Sequence, residues 1–164
     1  MPNWGEVLTE IQGTTVNNPL DFVRRKYLKI MNKYTNRNVI AYYSGWLQKN
    51  NQNIAIDDND KNALMQVVHG LDKSKGLDLI LHTPGGNVAA TESIVKYLRA
   101  IFGNDMRAFI PQIAMSAGTM IALSCKEIVM GKHSNLGPID PQYGGVPAYN
   151  IVNEFKEAKS DLDQ

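Results

Sequence analysis

Four short runs rich in β-branched and other apolar residues alternate along this chain with segments of helical periodicity, and no other feature restricts the fold as much. Val39-Ile40-Ala41-Tyr42-Tyr43, Leu77-Asp78-Leu79-Ile80-Leu81-His82, Arg107-Ala108-Phe109-Ile110 and Glu127-Ile128-Val129-Met130 read as strands. Asp57-Asp58-Asn59-Asp60 caps a helix running to about Leu71. Asn87 opens another, with Val88, Ile94, Val95, Leu98, Ile101 and Phe102 at helical spacing until Gly103-Asn104 stops it. A short, almost wholly apolar helix runs from Ser116 to about Cys125. Strands joined by crossovers of helical length pair in parallel, so the expected class is α/β with mostly parallel strands.

Outside that pattern, Asn18-Pro19-Leu20-Asp21 predicts a helix to about Thr35, with Asn18 as cap and Pro19 in the first turn. It is amphipathic: Leu20, Val23, Tyr27, Ile30, Met31 and Tyr34 form a stripe, and Arg24, Arg25, Lys26, Lys29, Lys33 and Arg37 make the rest basic. The basic side reads as a solvated face rather than an anion-binding surface. This helix stands ahead of the main fold, giving an arm over 1–36 and one domain over 37–164, and its apolar stripe is available for a neighbouring subunit. No linker divides 37 to 146. The last stretch, Ala148 to Gln164, has Ile151, Val152, Phe155 and Leu162 at helical spacing but no cap or glycine stop, as in a chain cut inside or just after a helix.

Composition excludes several classes. The 164 residues are 43% apolar and 20% charged, enough for one domain with a sizeable core. Seventeen basic against sixteen acidic residues leave a formal charge of +1, so no global field favours nucleic acid. Cys125 is the single cysteine, which rules out an internal disulfide, and no Cys/His cluster has zinc-ligand spacing. No run approaches the ~20 apolar residues of a membrane span, and MPNWGEVLTE lacks the order of a secretory signal, so the cytoplasm is the expected compartment.

Two segments carry candidate chemistry. Thr83-Pro84-Gly85-Gly86 lies between a strand end and a helix start, where α/β sheets place ligand-binding backbone. Adjacent glycines leave amide N–H groups uncovered, as an oxyanion hole requires, although glycine pairs also end strands as plain turns. Thirty residues beyond Gly86, Ala114-Met115-Ser116-Ala117-Gly118-Thr119 places a hydroxyl at the start of an apolar helix with small neighbours. Ser116 there is either a nucleophile or the cap of a buried helix.

Taken in order, Leu79 to Gly86, Ala114 to Thr119, and Met130-Gly131-Lys132-His133-Ser134-Asn135-Leu136-Gly137-Pro138-Ile139-Asp140-Pro141-Gln142 resemble the fold family of the Clp proteolytic subunit, signal peptide peptidase A and the crotonases. Within it the likeness is to the serine dehydrogenase proteinases, or membrane-bound Clp-class serine proteases, and covers about 39 to 160. The resemblance implies a Clp/crotonase-like fold of repeated β-β-α and βαβ units. It implies a serine peptidase acting through an acyl-enzyme, with Ser116 as nucleophile and the amides of Gly85, Gly86 and Ala117 as oxyanion hole. It implies peptide or protein substrates, no cofactor or metal, a homo-oligomer, and room for a membrane-associated partner.

The base departs from the Clp pattern. Where the Clp subunit has its triad histidine, this chain has Asp140-Pro141-Gln142-Tyr143-Gly144-Gly145. Relatives without that histidine use lysine, which makes Lys159 the first candidate, flanked by Phe155 and Leu162, ahead of Lys156. A lysine base must be neutral, so its pKa must fall by about three units, near 4 kcal/mol, through burial. His133 in its polar loop is a further alternative. His82 either lines the site or is turned away by strand alternation, and His69 and Cys125 read as structural. Asp140 either orients a base or shapes a proline turn. Two other readings remain: a crotonase-like acyl-coenzyme A enzyme, against which a serine at this place argues, and a silent assembly module.

Overall fold

In the computed structural model the described residues are 2–47, 49, 53–140, 142–144 and 146–162. The readings that touched Pro141, Gly145 and the last two residues lie outside them. Two helices open the chain. α1 (Trp4–Gly13) begins on a capping box in which Asn3 accepts the Glu6 N–H and Glu6 accepts the Asn3 N–H. α2 (Pro19–Thr35) begins on Asn18, whose Oδ1 accepts the Asp21 N–H at 3.1 Å, and ends at Asn36 in the left-handed region, φ 54°. Lys26 and Tyr27 of α2 both hydrogen-bond Glu10 of α1, the second at 3.0 Å, so the two helices are fixed together.

The sheet follows. β1 (Asn38–Tyr43) leads to α3 (Asp58–Val68), capped by Asp57; β2 (Leu77–His82) leads to α4 (Val88–Phe102), capped by Asn87. β3 (Met106–Ile110) continues into the two-residue β4 (Ile113–Ala114), then α5 (Ala117–Leu123) and β5 (Glu127–Met130). The sheet order is β1-β2-β3-β5 with every pair parallel, as the strand and helix alternation predicts. β6 (Asn135–Leu136) pairs in parallel with β4, and β7 (Gln142–Tyr143) with β8 (Val146–Pro147) makes a hairpin ahead of α6 (Ala148–Leu162). The predicted helices and strands are present with shifts of at most three residues at their ends; α1, a short 3-10 turn over Lys73–Lys75 and the four two-residue strands are additions.

Strand alternation divides the sheet into two faces. Leu77, Leu79 and Leu81 of β2, with Ile40 of β1 and Met106, Ala108 and Ile110 of β3, point into a core closed by Leu64 and Val68 of α3, Ile94, Leu98 and Phe102 of α4, and Ile121 of α5. Asp78, Ile80 and His82 point to the other face, over which α2 lies, with Val23 buried beneath it.

Asp78 has no exposed surface, yet it is charged and paired. Arg107 binds it bidentately at 2.8 and 2.7 Å, and Arg37 Nε donates to it at 2.7 Å while reaching the Asp105 carboxylate at 2.8 Å. Burial pushes the carboxyl up, but the bonds from Arg107 and Arg37 outweigh it and hold its pKa below the ordinary value. A carboxyl depressed on folding contributes stability above its unfolded pKa of about 3.9 and loses it as pH falls through the folded value. Urea unfolding should therefore find Asp78→Asn less stable than the natural protein by about 3 kcal/mol at pH 7, the lower part of the range for a broken buried pair because both guanidinium groups still touch water. The difference should shrink below about pH 4.

Candidate active site

The C-terminal ends of β2 and β3 are held together beyond the regular ladder. Thr83 and Ala114 form a parallel bridge, with Thr83 N–H donating to Ile113 O at 3.2 Å and Met115 N–H to Thr83 O at 3.0 Å. Thr83 Oγ1 accepts the Gly85 N–H at 3.1 Å and so shapes the turn from inside. Gly85 sits at φ 109°, and a Cβ there would lie 2.8 Å from Ser116 Cβ, 2.9 Å from Met115 O and 3.2 Å from Ala117 N. Only a residue without a side chain allows both that backbone angle and that approach. Gly86 is bridged to Ile56: Ile56 N–H donates to Gly85 O at 2.9 Å and Asn87 N–H to Ile56 O at 2.8 Å, and a Cβ on Gly86 would run into the Ile56 backbone.

Ser116 occupies the residue before α5 at φ 47° and ψ −114°, a region that costs a non-glycine residue on the order of 1–3 kcal/mol. Its side chain makes no capping bond, which removes the reading of Ser116 as a mere helix cap. The structure thus brings Gly85 against Ser116 and Ala117, with Gly86 next to it in the turn. Of the three amides read as an oxyanion hole, that of Gly85 is donated to Thr83 Oγ1. Those of Gly86 and Ala117 have no acceptor among the described residues. Free N–H groups at Ala117, next to the uncommitted hydroxyl, and at Gly86, one residue beyond the Gly85 that packs against Ser116, are of the kind that stabilises an oxygen anion formed on an attacked carbonyl.

Thr119, quoted in the motif but given no task, has one. Its Oγ1 lies 2.6 Å from Ala114 O and 3.0 Å from Gly137 O, and accepts the Gly137 N–H at 3.0 Å. It fastens the strand before Ser116 to the loop after β6, and its place two residues into an apolar helix was the available signal.

The other candidates lie elsewhere. His133 is exposed, with Nε2 3.0 Å from Pro111 O, and makes no bond to Ser116. Alternation turns His82 onto the α2 face, where Nε2 meets Gln112 Oε1 at 3.0 Å. Lys156 and Lys159 stand exposed on α6, which has no buried residue. The expected neighbours of Lys159 are exposed as well, Phe155 at 74% and Leu162 at 86%, so this chain by itself does not desolvate the lysine. His69 ends α3 and is exposed, and Cys125 is half-buried, with burial pushing its thiol upward and away from nucleophilic use. Asp140 is half-buried and, among the described residues, accepts only a long 3.4 Å bond from Gln142. Among the described residues no three His, Cys, Asp or Glu side chains converge as metal ligands, and no helix is long and apolar enough to cross a membrane.

Comparison with known families decides the kinship. The family described as ClpP-like SDH-type serine proteinase matches residues 18–164. The chain belongs to that family. Its members' name implies serine proteinase chemistry, and the parallel sheet with its serine turn agrees with a Clp-like fold. Two uncharacterized proteins of Methanocaldococcus jannaschii are similar: one is 40% identical over 108 residues, 66% of this chain and 37% of its own length. The other is 36% identical over 102 residues, 62% of this chain and 34% of its own. The aligned stretch is thus about a third of each of these curated relatives.

The backbone angle at Ser116 gives this site a measurable signature. Ser116→Gly relieves the strain that Ser116→Ala retains, so it should be the more stable variant by about 1 kcal/mol in urea unfolding, after allowance for glycine's entropy.

Proposed function

We propose that this protein is a serine peptidase that cleaves peptide bonds through an acyl-enzyme. The observation that carries the reading is the uncommitted Ser116 hydroxyl, with the free amide of Ala117 next to it and the glycine turn, free at the Gly86 amide, packed against it through Gly85. Ser116 Oγ attacks the peptide carbonyl carbon, the carbonyl oxygen becomes an anion received by the two amides, and collapse expels the amine. Water then adds to the ester through the same anion and frees the serine. Gly85 acts in this scheme as a spacer, letting the turn approach Ser116, rather than as a donor.

The base is Lys159, with Lys156 as its competitor. A neutral amine takes the proton from Ser116 Oγ and delivers it to the leaving nitrogen. Because α6 is exposed along Val152, Phe155 and Leu162, the desolvation a lysine base needs comes only when that helix is covered, by a second protomer or by further chain. Exposed Leu20, Phe22, Ile30 and Tyr34 on α2 offer a second uncovered face, so the active species is a homo-oligomer acting on peptide or protein substrates.

Intact-mass analysis after fluorophosphonate treatment tests the nucleophile: one adduct on the natural protein and none on Ser116→Ala is expected, while no adduct on either would mark a silent relative. For the base, Lys159→Met should lower peptide hydrolysis by about 10²-fold or more, with Lys156→Met and His133→Ala near full rate, in a protein carrying any native extension. Full activity of Lys159→Met with loss in His133→Ala would replace the lysine by a Ser–His arrangement. Light scattering should find a species larger than the 18.3 kDa monomer at micromolar concentration.

A further inference from the structure

His82 is the last residue of β2, and its ring leaves the sheet on the face opposite the core. It is 7% exposed and lies against two aromatic rings, Tyr43 at 5.0 Å and Trp46 at 6.4 Å between centroids. Its Nε2 stands 3.0 Å from Gln112 Oε1, and because an amide oxygen only accepts, the imidazole donates. Gln112 belongs to the two-residue link, Pro111-Gln112, between β3 and β4, and its own carbonyl accepts the Asn135 N–H of β6 at 2.7 Å. One residue therefore ties together the exit of β2, the approach to Ser116 and the strand leading to Gly137. His133 braces the same link through Pro111 O, and the Ser134 hydroxyl through Ile110 O.

The placement matters because 82 and 112 stand one step ahead of the pairs that hold the site. Thr83 meets Ile113 and Met115 through two backbone bonds, and β4 is only two residues long. A serine at φ 47° keeps that angle only while its surroundings fix it, and a displacement of about 1 Å between nucleophile and oxyanion donors can cost on the order of 10²-fold in rate. A half-buried hydrogen bond between packed rings and a link anchored on both sides prevents the two strand exits from sliding past each other.

We propose that His82 and Gln112 are positioning residues. Their hydrogen bond sets the register of Thr83-Pro84-Gly85-Gly86 against Met115-Ser116-Ala117, from the face of the sheet opposite the core. For its effect on rate the inference rests on the reading of Ser116 as nucleophile; for its effect on the backbone it does not.

The test uses His82→Phe, which keeps an aromatic ring between Tyr43 and Trp46 but cannot donate, Gln112→Leu, the double variant, and Gln112→Glu, which restores an acceptor. Two measurements are made on each: the rate of fluorophosphonate labelling, and hydrogen exchange of the Thr83 and Met115 amides, with Leu79 and Leu98 as distant controls. Each single variant should label about 10-fold more slowly and exchange Met115 and Thr83 at least 10-fold faster, with the control amides unchanged. The double variant should be no worse than the more severe single, as expected of two halves of one bond, and Gln112→Glu should stay within about threefold of the natural protein. Exchange at Thr83 and Met115 unchanged in both singles would overturn the inference, as would effects that multiply in the double variant, or Gln112→Glu as impaired as Gln112→Leu. If the natural protein takes no probe while exchange rises as expected, the positioning role stands and the nucleophile reading falls.

Discussion

The parallel bridge between Thr83 and Ala114 joins the residue after β2 to the last residue of β4, and the candidate site hangs on that step. Thr83 spends its backbone on Ile113 and Met115 and its hydroxyl on the Gly85 amide, so one residue fixes both the glycine turn and the segment carrying Ser116. With those bonds in place, Gly85 is pressed against Ser116, and Gly86 is pinned from the other side by Ile56. The strained serine is held by the exits of β2 and β4 and by the turn pinned at Ile56, and strain of that size persists only where the surroundings over-determine it.

Stability and chemistry are divided between the two ends of the sheet. At the N-terminal ends, Asp78 is fully covered and saturated by Arg37 and Arg107, the arrangement a buried charge needs. At the C-terminal ends, the Gly86 and Ala117 amides have no acceptor, and the Ser116 hydroxyl no partner, among the described residues. Parallel α/β sheets place binding backbone at that end because the strands there give way to turns and helix starts with free N–H groups.

Two helices at the ends of the chain present apolar residues to solvent. On α2, Leu20, Phe22, Ile30 and Tyr34 are exposed; on α6, Tyr149, Val152, Phe155 and Leu162 are. The first lies against the sheet and keeps Val23 buried, whereas the second has no buried residue. A lysine on a helix in that condition keeps its water, and this is why a base could be named from spacing and kinship but is not assembled beside Ser116 within one chain. The apolar spacing of Phe155 and Leu162 around Lys159 was legible; the surface that would cover them lies outside the helix itself.

Local signals in the sequence determined most of the architecture. Caps at Asn18, Asp57 and Asn87, the stop at Gly103 and the β-branched runs each act within a few residues, so helices and strands followed from short windows, and the alternation dictated parallel pairing. The Asn3 and Glu6 capping box that starts α1 was equally local and equally readable. The serine and the glycine pair stood out because the residue types themselves are restrictive. Tertiary structure decided the rest. It assigned the Gly85 amide to Thr83, gave Thr119 the loop after β6, turned His82 toward Gln112 and set the angle at Ser116. The Gly85 amide meets a hydroxyl only two positions away, in a turn whose place is set by the bridge to Ala114, whereas Thr119 and Gly137 are 18 positions apart and His82 and Gln112 are 30, so no local window contains the atoms that meet there.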